Sequence, residues 1–241
     1  MTYSYSLEEL QKLLGVKLPL SAQILSPGED AEESSPSGQV KLEQWIEAVH
    51  RFDENTLSQG FFEEWARQGL LKFILNFAVP FIYQVGKGWE TGELTVSQEH
   101  FASERLEHFL SGMWRRMNER KEGPAVLLTT LPGDPHRLGI QMCSVVTSLT
   151  EAKLVYLGPN TPCDDIVSAV EQSEASILCF SISPTMSPAK VENYLVEIRA
   201  SLGKGVDMVI GGNGAPEGIP GIKRFDGFGE YFDWLTARRK T

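Results

Sequence analysis

The sequence predicts an α/β protein in which a four-helix bundle precedes a doubly wound, flavodoxin-like parallel sheet. Two observations carry this. From Val40 to Arg120 apolar residues recur at helical spacing, and from Ala125 onward short continuous apolar runs alternate with helical stretches. A third observation bears on function. The segments richest in His, Ser, Thr and Gly fall where the predicted strands end, and such sheets hold ligands at that edge.

In chain order, residues 1–40 stand apart as a tail and linker. Ser6-Leu7-Glu8-Glu9-Leu10 through Leu14-Gly15 reads as a short helix with a Ser cap and a Gly stop. The stretch from Ser26-Pro27-Gly28 to Gly38 is rich in Ser, Pro, Gly and acid and reads as a flexible linker. Residues 41–122 form the helical bundle. Its first helix carries Leu42, Trp45, Ile46 and Val49, and its second Phe61, Phe62 and Trp65. Its third runs from Leu70 to Val85 with Pro80 inside, where a kink or restart is expected. Its fourth, from about Thr95 to Met117, carries Phe101, Leu106, Phe109 and Leu110 on one side. At Gly123-Pro124 the period changes, and residues 123–241 form the sheet domain. Ala125 to Leu131 reads as a buried parallel strand, followed by a helix from Gly139 to Leu149. Strands at 153–157, 176–181, 207–210 and 222–225 alternate with helices at 164–172, 189–202 and 228–238.

The 241 residues carry a net charge of −10, with 41% hydrophobic and 22% charged residues, as in ordinary soluble globular chains. No apolar run reaches the length of a membrane span, and MTYSYSLEEL lacks the pattern of a signal peptide. Cys143, Cys163 and Cys179 are odd in number and form no Cys-x-x-Cys pair, so reduced thiols in the cytoplasm are expected. The acidic balance argues against nucleic acid as a direct partner. The clusters Arg115-Arg116 to Lys121 and Arg238-Arg239-Lys240 read as cations at helix C-termini.

Three segments converge on one sheet edge. They are Gly133-Asp134-Pro135-His136-Arg137-Leu138-Gly139, Ser181-Ile182-Ser183-Pro184-Thr185, and Gly211-Gly212-Asn213-Gly214. His136 is an imidazole at the mouth of that edge, and Asp134 is placed to reach its distal ring nitrogen. A carboxylate behind a histidine fixes the tautomer and raises its basicity as a ligand. Gly139 lets backbone lie close to a ligand, Gly211 and Gly212 leave a side-chain-free slot, and Ser181 and Thr185 offer hydroxyls to it. One histidine alone holds a metal weakly, so the metal is expected to arrive inside a macrocycle.

Asp134-Pro135-His136-Arg137-Leu138-Gly139 resembles the Asp-x-His-x-x-Gly motif of cobalamin-binding domains. Ser181-x-Ser183-x-Thr185 is similar to their Ser-x-Leu-x-Thr motif, with Ser183 in place of Leu, and Gly211-Gly212 to their Gly-Gly. The resemblance implies cobalamin as cofactor, with His136 as the lower axial ligand of cobalt. It implies Asp134 and a Ser behind the imidazole, and glycines lining the channel for the nucleotide tail. Trp89, nine residues, then Glu99-His100 resembles the Trp-x9-Glu-His motif of the CarH/LitR type of adenosylcobalamin photoreceptor. Tyr156 to Pro162 is similar to that subfamily's second strand and turn. The resemblance covers about residues 40–241 and implies that the bundle covers the upper face of the corrin. Trp89, Glu99 and His100 would then surround the adenosyl group.

Two departures from that pattern matter. Members of this type carry an N-terminal MerR-like winged helix, for which residues 1–40 are too few and too acidic. Some have a His directly after the Trp, where this chain has Glu90. The expected function is a light- or cobalamin-responsive regulator, not an enzyme, that works through a protein partner such as a transcription regulator. Self-association into a homo-oligomer is left open. The alternative is a corrinoid methyl carrier serving a methyltransferase, and a third reading is cobalamin storage or delivery. The first two differ above the corrin, because a methyl carrier needs no nucleoside pocket and must open its cap. Blander readings exist for single residues: an isolated Trp usually fills a core, the Phe-rich third helix reads as bundle core, and His50 and His108 receive no role.

Overall fold

The computed structural model describes residues 36–119 and 121–238. The short helix read at residues 6–15 and most of the predicted linker lie outside them. Helix α1 spans Pro36–His50, so Gly38, read as linker, belongs to its first turns. Proline opens a helix readily, because the first N–H groups have no partner inside it. Helix α2 spans Glu54–Gln68 and is capped by Asp53, whose side chain accepts the Thr56 N–H at 3.1 Å.

The third rod is longer and less regular than the sequence suggests. Helix α3 (Leu70–Phe73) passes through a π turn (Ile74–Ala78) into α4 (Val79–Thr91). The regular α-helix restarts beside Pro80, as expected, and the rod stays continuous through the π turn. That wider turn leaves the missing proline donor in the first turn of α4, where none is required. Gly92 ends α4 in the left-handed conformation, φ 78°, which a side chain there would disfavour. Helix α5 (Val96–Met117) opens on a capping box between Thr95 and Gln98. The four rods enclose Trp45, Phe61, Phe73, Phe77, Phe81, Leu106 and Leu110. Trp45 meets Phe61 and Phe81 edge-on, at ring separations of 4.9 and 5.7 Å. The Phe-rich rod is therefore core, as the bland reading has it.

Beyond residue 123, strand β1 (Ala125–Thr129) is followed by α6 (Leu138–Ser148), β2 (Lys153–Gly158), α7 (Cys163–Gln172) and β3 (Ile177–Ser181). Then come α8 (Pro188–Ser201), β4 (Asp207–Gly211), β5 (Ile222–Arg224) and α9 (Phe228–Ala237). The described strands form one parallel sheet in the order β2-β1-β3-β4-β5. Side chains alternate along β1: Val126 and Leu128 face α6, α9 and the bundle, while Leu127 faces the layer of α7 and α8. Burial on both faces explains why the strands read as unbroken apolar runs. The three cysteines are free thiols.

Helix α6 lies between sheet and bundle, and polar groups fasten α5 to it. Trp114 Nε1 donates to the buried Gln141 Oε1 at 2.5 Å, and Gln141 Nε2 donates to Tyr156 Oη at 3.2 Å. Asn118 donates to the Leu154 carbonyl at 2.9 Å and accepts the Leu154 N–H at 2.8 Å. The C-terminal half of α5 is thus joined to β2 and α6 at several points. No described helix is long and apolar enough to cross a membrane.

Candidate cofactor-binding site

At the carboxyl edge of β1 the chain turns through Gly133, φ 83°, into Asp134, which is fully buried. Asp134 Oδ1 accepts the His136 backbone N–H at 3.1 Å and lies 2.8 Å from His136 Nδ1. Its Oδ2 accepts the Ser183 N–H at 3.0 Å. In the neutral ring a carboxylate at Nδ1 selects the tautomer with its proton there, which leaves the Nε2 lone pair for a ligand. Among the described residues Nε2 has no partner, and the imidazole side chain is 53% exposed.

Further groups fix the loop, and the sequence reading missed them. Thr130 Oγ1 donates to the Asp134 carbonyl at 2.6 Å and accepts the Asn160 N–H at 2.8 Å. Asn160 Oδ1 accepts the Gly133 N–H at 2.6 Å. Asn160 itself has φ 56°, a conformation Asn tolerates better than most residues. The loops after β1, β2 and β3 are thereby tied together behind His136. The only advance signal was the turn-forming Gly158-Pro159-Asn160.

The glycines act by close approach. A β-carbon at Gly139 would overlap Ser181 Oγ, so the Ser181 hydroxyl lies against the start of α6. Gly212 has φ 96°, and a β-carbon there would lie 2.5 Å from the Ile182 carbonyl oxygen. One at Gly214 would overlap the Ser183 carbonyl. The absent side chains of Gly212 and Gly214 thus let the loops after β3 and β4 pack on each other, whereas Gly211 meets only ordinary contact. Ser183 Oγ lies 3.0 Å from Thr185 Oγ1 and accepts the Thr185 N–H at 3.3 Å. Leu138 begins α6 and packs against the bundle-side core.

On the helical side, Trp89 lies in the last turn of α4 and is 50% exposed, so it is not a core residue. Glu99 lies in the first turn of α5. Its Oε2 is 2.5 Å from His100 Nδ1, and its Oε1 accepts from Ser103 Oγ at 2.7 Å. The His100 side chain is 72% exposed. Glu99, Ser103 and Glu107 form one row along α5, about 12 Å long at the helical rise. At its far end Glu107 accepts from Arg137 Nη1 at 3.4 Å, and Arg137 follows His136. One helix face therefore links the Glu99 pair to the His136 loop. Among the described residues no group of three or more His, Cys, Asp or Glu side chains could hold a bare metal ion.

Two family models, each described as a B12 binding domain, match residues 41–111 and 124–221. This chain is a B12-binding-domain protein. The helical bundle falls under the first match, and the second includes the His136 loop, Ser181 to Thr185 and Gly211-Gly212. The protein is 24% identical to the HTH-type transcriptional repressor CarH of Myxococcus xanthus, over 87% of this chain and 70% of that one. It is 20% identical to the repressor CarA of the same organism, over 90% of this chain and 76% of that one. Its fold is similar to the monomethylamine corrinoid protein of Methanosarcina barkeri, with a TM-score of 0.65 at 15% identity, covering 83% of this chain and 99% of that one. The B12-binding-domain protein thus binds cobalamin on a mixed α/β fold shared with a corrinoid protein.

Proposed function

We propose that this protein holds adenosylcobalamin between the His136 loop and the Trp89–Glu99 face. In this reading it is a light-responsive regulator in the cytoplasm that acts through a protein partner and does not itself contact DNA. When bound, adenosylcobalamin supplies a light-labile cobalt–carbon bond.

The residues present fit such a group. His136 offers one unpartnered Nε2 with its tautomer set from behind, which suits a metal already held in a macrocycle. Asp134 stabilises the charge that develops on the imidazole. Ser183, Thr185, Gly211 and Gly212 flank the side where a displaced nucleotide tail would lie. Arg137, Leu138 and Gly139 start α6 beside the His136 loop.

The observation that carries the adenosyl assignment is the half-exposed Trp89 together with the prepared Glu99 carboxylate. An indole left half in water at a helix end is a platform for a planar base. Glu99 has both oxygens oriented by His100 and Ser103 yet keeps acceptor capacity for ribose hydroxyls. Similarity to two transcriptional repressors supports the regulatory reading.

The fold shared with a monomethylamine corrinoid protein is what supports the second reading, a methyl carrier. That role requires a cap that lifts, and the Trp114–Gln141–Tyr156 and Asn118–Leu154 contacts oppose it. The deciding experiment measures affinity for adenosylcobalamin and methylcobalamin in the dark, in the native protein and in Trp89→Ala. A preference for the adenosyl form that the substitution removes supports the photoreceptor, and equal affinities with no effect of the substitution support the carrier. The spectrum and oligomeric state, before and after illumination, then show whether light changes the assembly.

A further inference from the structure

Ser183 stands where the cobalamin-binding pattern has Leu, and the structure fixes what that exchange does. The backbone of residue 183 is held on both sides. Its N–H donates to the buried Asp134 Oδ2 at 3.0 Å, and its carbonyl abuts Gly214, where a β-carbon would overlap it. The Gly214 N–H also donates to the Ile182 carbonyl at 3.1 Å. With the backbone set, the direction of the Cα–Cβ bond is set too, whichever residue is present. Here the side chain presents a hydroxyl paired with Thr185 Oγ1 at 3.0 Å. The Thr185 N–H donates to that same hydroxyl at 3.3 Å. Two hydroxyls carry two protons, and their mutual bond uses one. One proton and several lone pairs remain for a ligand, on a half-exposed loop next to the Asp134–His136 pair.

We infer that Ser183, with Thr185, selects the lower base of the corrinoid this protein accepts. The selected base has hydrogen-bonding nitrogens or an amine on its edge, as a purine does. This rests on His136 taking the lower face of cobalt. A histidine in that position displaces the cofactor's own base, which stays tethered and must lie along the protein beside His136. Dimethylbenzimidazole offers an edge of two methyl groups to that hydroxyl pair, whereas adenine offers donors and acceptors. A leucine at position 183 reverses the match.

The test titrates an adenine-based corrinoid and cobalamin, each with the same upper ligand, against the native protein, Ser183→Leu and Ser183→Ala. The visible spectrum reports both affinity and ligation by histidine. The native protein favours the adenine-based corrinoid by about two- to tenfold, the factor worth one net hydrogen bond. Ser183→Leu abolishes or inverts that ratio. Ser183→Ala, which adds no bulk, moves it toward one and guards against a folding defect in the leucine variant. An unchanged ratio in both variants overturns the inference. If neither corrinoid binds the native protein through histidine, it is the underlying cobalamin reading that fails, and the two failures are thereby told apart.

Discussion

Replacing Asp134 separates the two duties of the His136 loop. The fully buried carboxylate accepts three N–H groups: the His136 backbone, the His136 ring and the Ser183 backbone. Asp134→Ala leaves all three without their acceptor. The half-exposed imidazole regains water, so its loss costs little, but the two backbone donors are partly enclosed. A hydrogen bond to a charged acceptor contributes about 1.5–3 kcal/mol, so the pair, discounted for partial access of water, is worth about 3 kcal/mol. Asp134→Asn keeps one carbonyl oxygen and turns an NH2 toward the other donor, so it costs about half as much. His136→Ala removes only the exposed ring and destabilises by less than about 1 kcal/mol. Urea unfolding of the cofactor-free variants measures these differences. Titration with cobalamin then separates the roles: His136→Ala folds normally but loses the histidine-ligated spectrum, whereas Asp134→Ala loses stability and affinity together. An Asp134→Ala protein within 0.5 kcal/mol of native, roughly the scatter of neutral surface substitutions, would falsify the claim that this carboxylate organises the loop.

Four further outcomes are expected. Trp89→Ala leaves urea stability within about 1 kcal/mol, because the indole is half exposed, while reducing the preference for adenosylcobalamin. A double-mutant cycle on Trp114→Phe and Gln141→Leu gives coupling of about 1–2 kcal/mol, because each single change strands a buried polar partner and the double change strands neither; zero coupling contradicts the α5–α6 joint. Burial acts to raise the Glu64 carboxyl, but Lys41 and Arg67 outweigh it and hold the group below the usual carboxylate range. A depressed carboxyl stabilises at pH above its unfolded value and loses that contribution as pH falls through its folded value, so Glu64→Gln flattens the acid limb of a stability–pH curve. Purified protein at physiological salt gives no sequence-selective retardation of a promoter fragment, the outcome that the net charge of −10 favours.

The sheet was legible because its central strands are buried on both faces and therefore unbroken in hydrophobicity, from Ala125 to Thr129 and again at Ile177 to Ser181. The π turn at Ile74–Ala78 was not legible, since it leaves the apolar pattern of the rod intact and changes only which residue lacks a donor. At the site, the Asp134–His136 pair could be read from a spacing of two residues, which is short enough for local geometry to bring the side chains together. Thr130 and Asn160 could not be read that way, because 30 residues and a β-strand crossover separate them. The approach of Ser181 to Gly139 could not be read for the same reason. That contact depends on how α6 packs across the sheet edge. Trp89 illustrates the opposite case: burial statistics favour a core role for an isolated Trp, and its spacing to Glu99-His100 together with the cobalamin motifs pointed elsewhere.

The account turns on whether His136 Nε2 is the lower ligand of the bound cofactor. Electron paramagnetic resonance of the protein loaded with the cobalt(II) form of cobalamin tests this directly, using protein grown with heavy-nitrogen-labelled histidine. An axial nitrogen splits the cobalt lines into triplets in its common isotope and doublets in the heavy one. The account predicts doublets in the labelled native protein and their loss in His136→Ala. Triplets that persist in the labelled protein would mean that the cofactor keeps its own base on cobalt, and would contradict it.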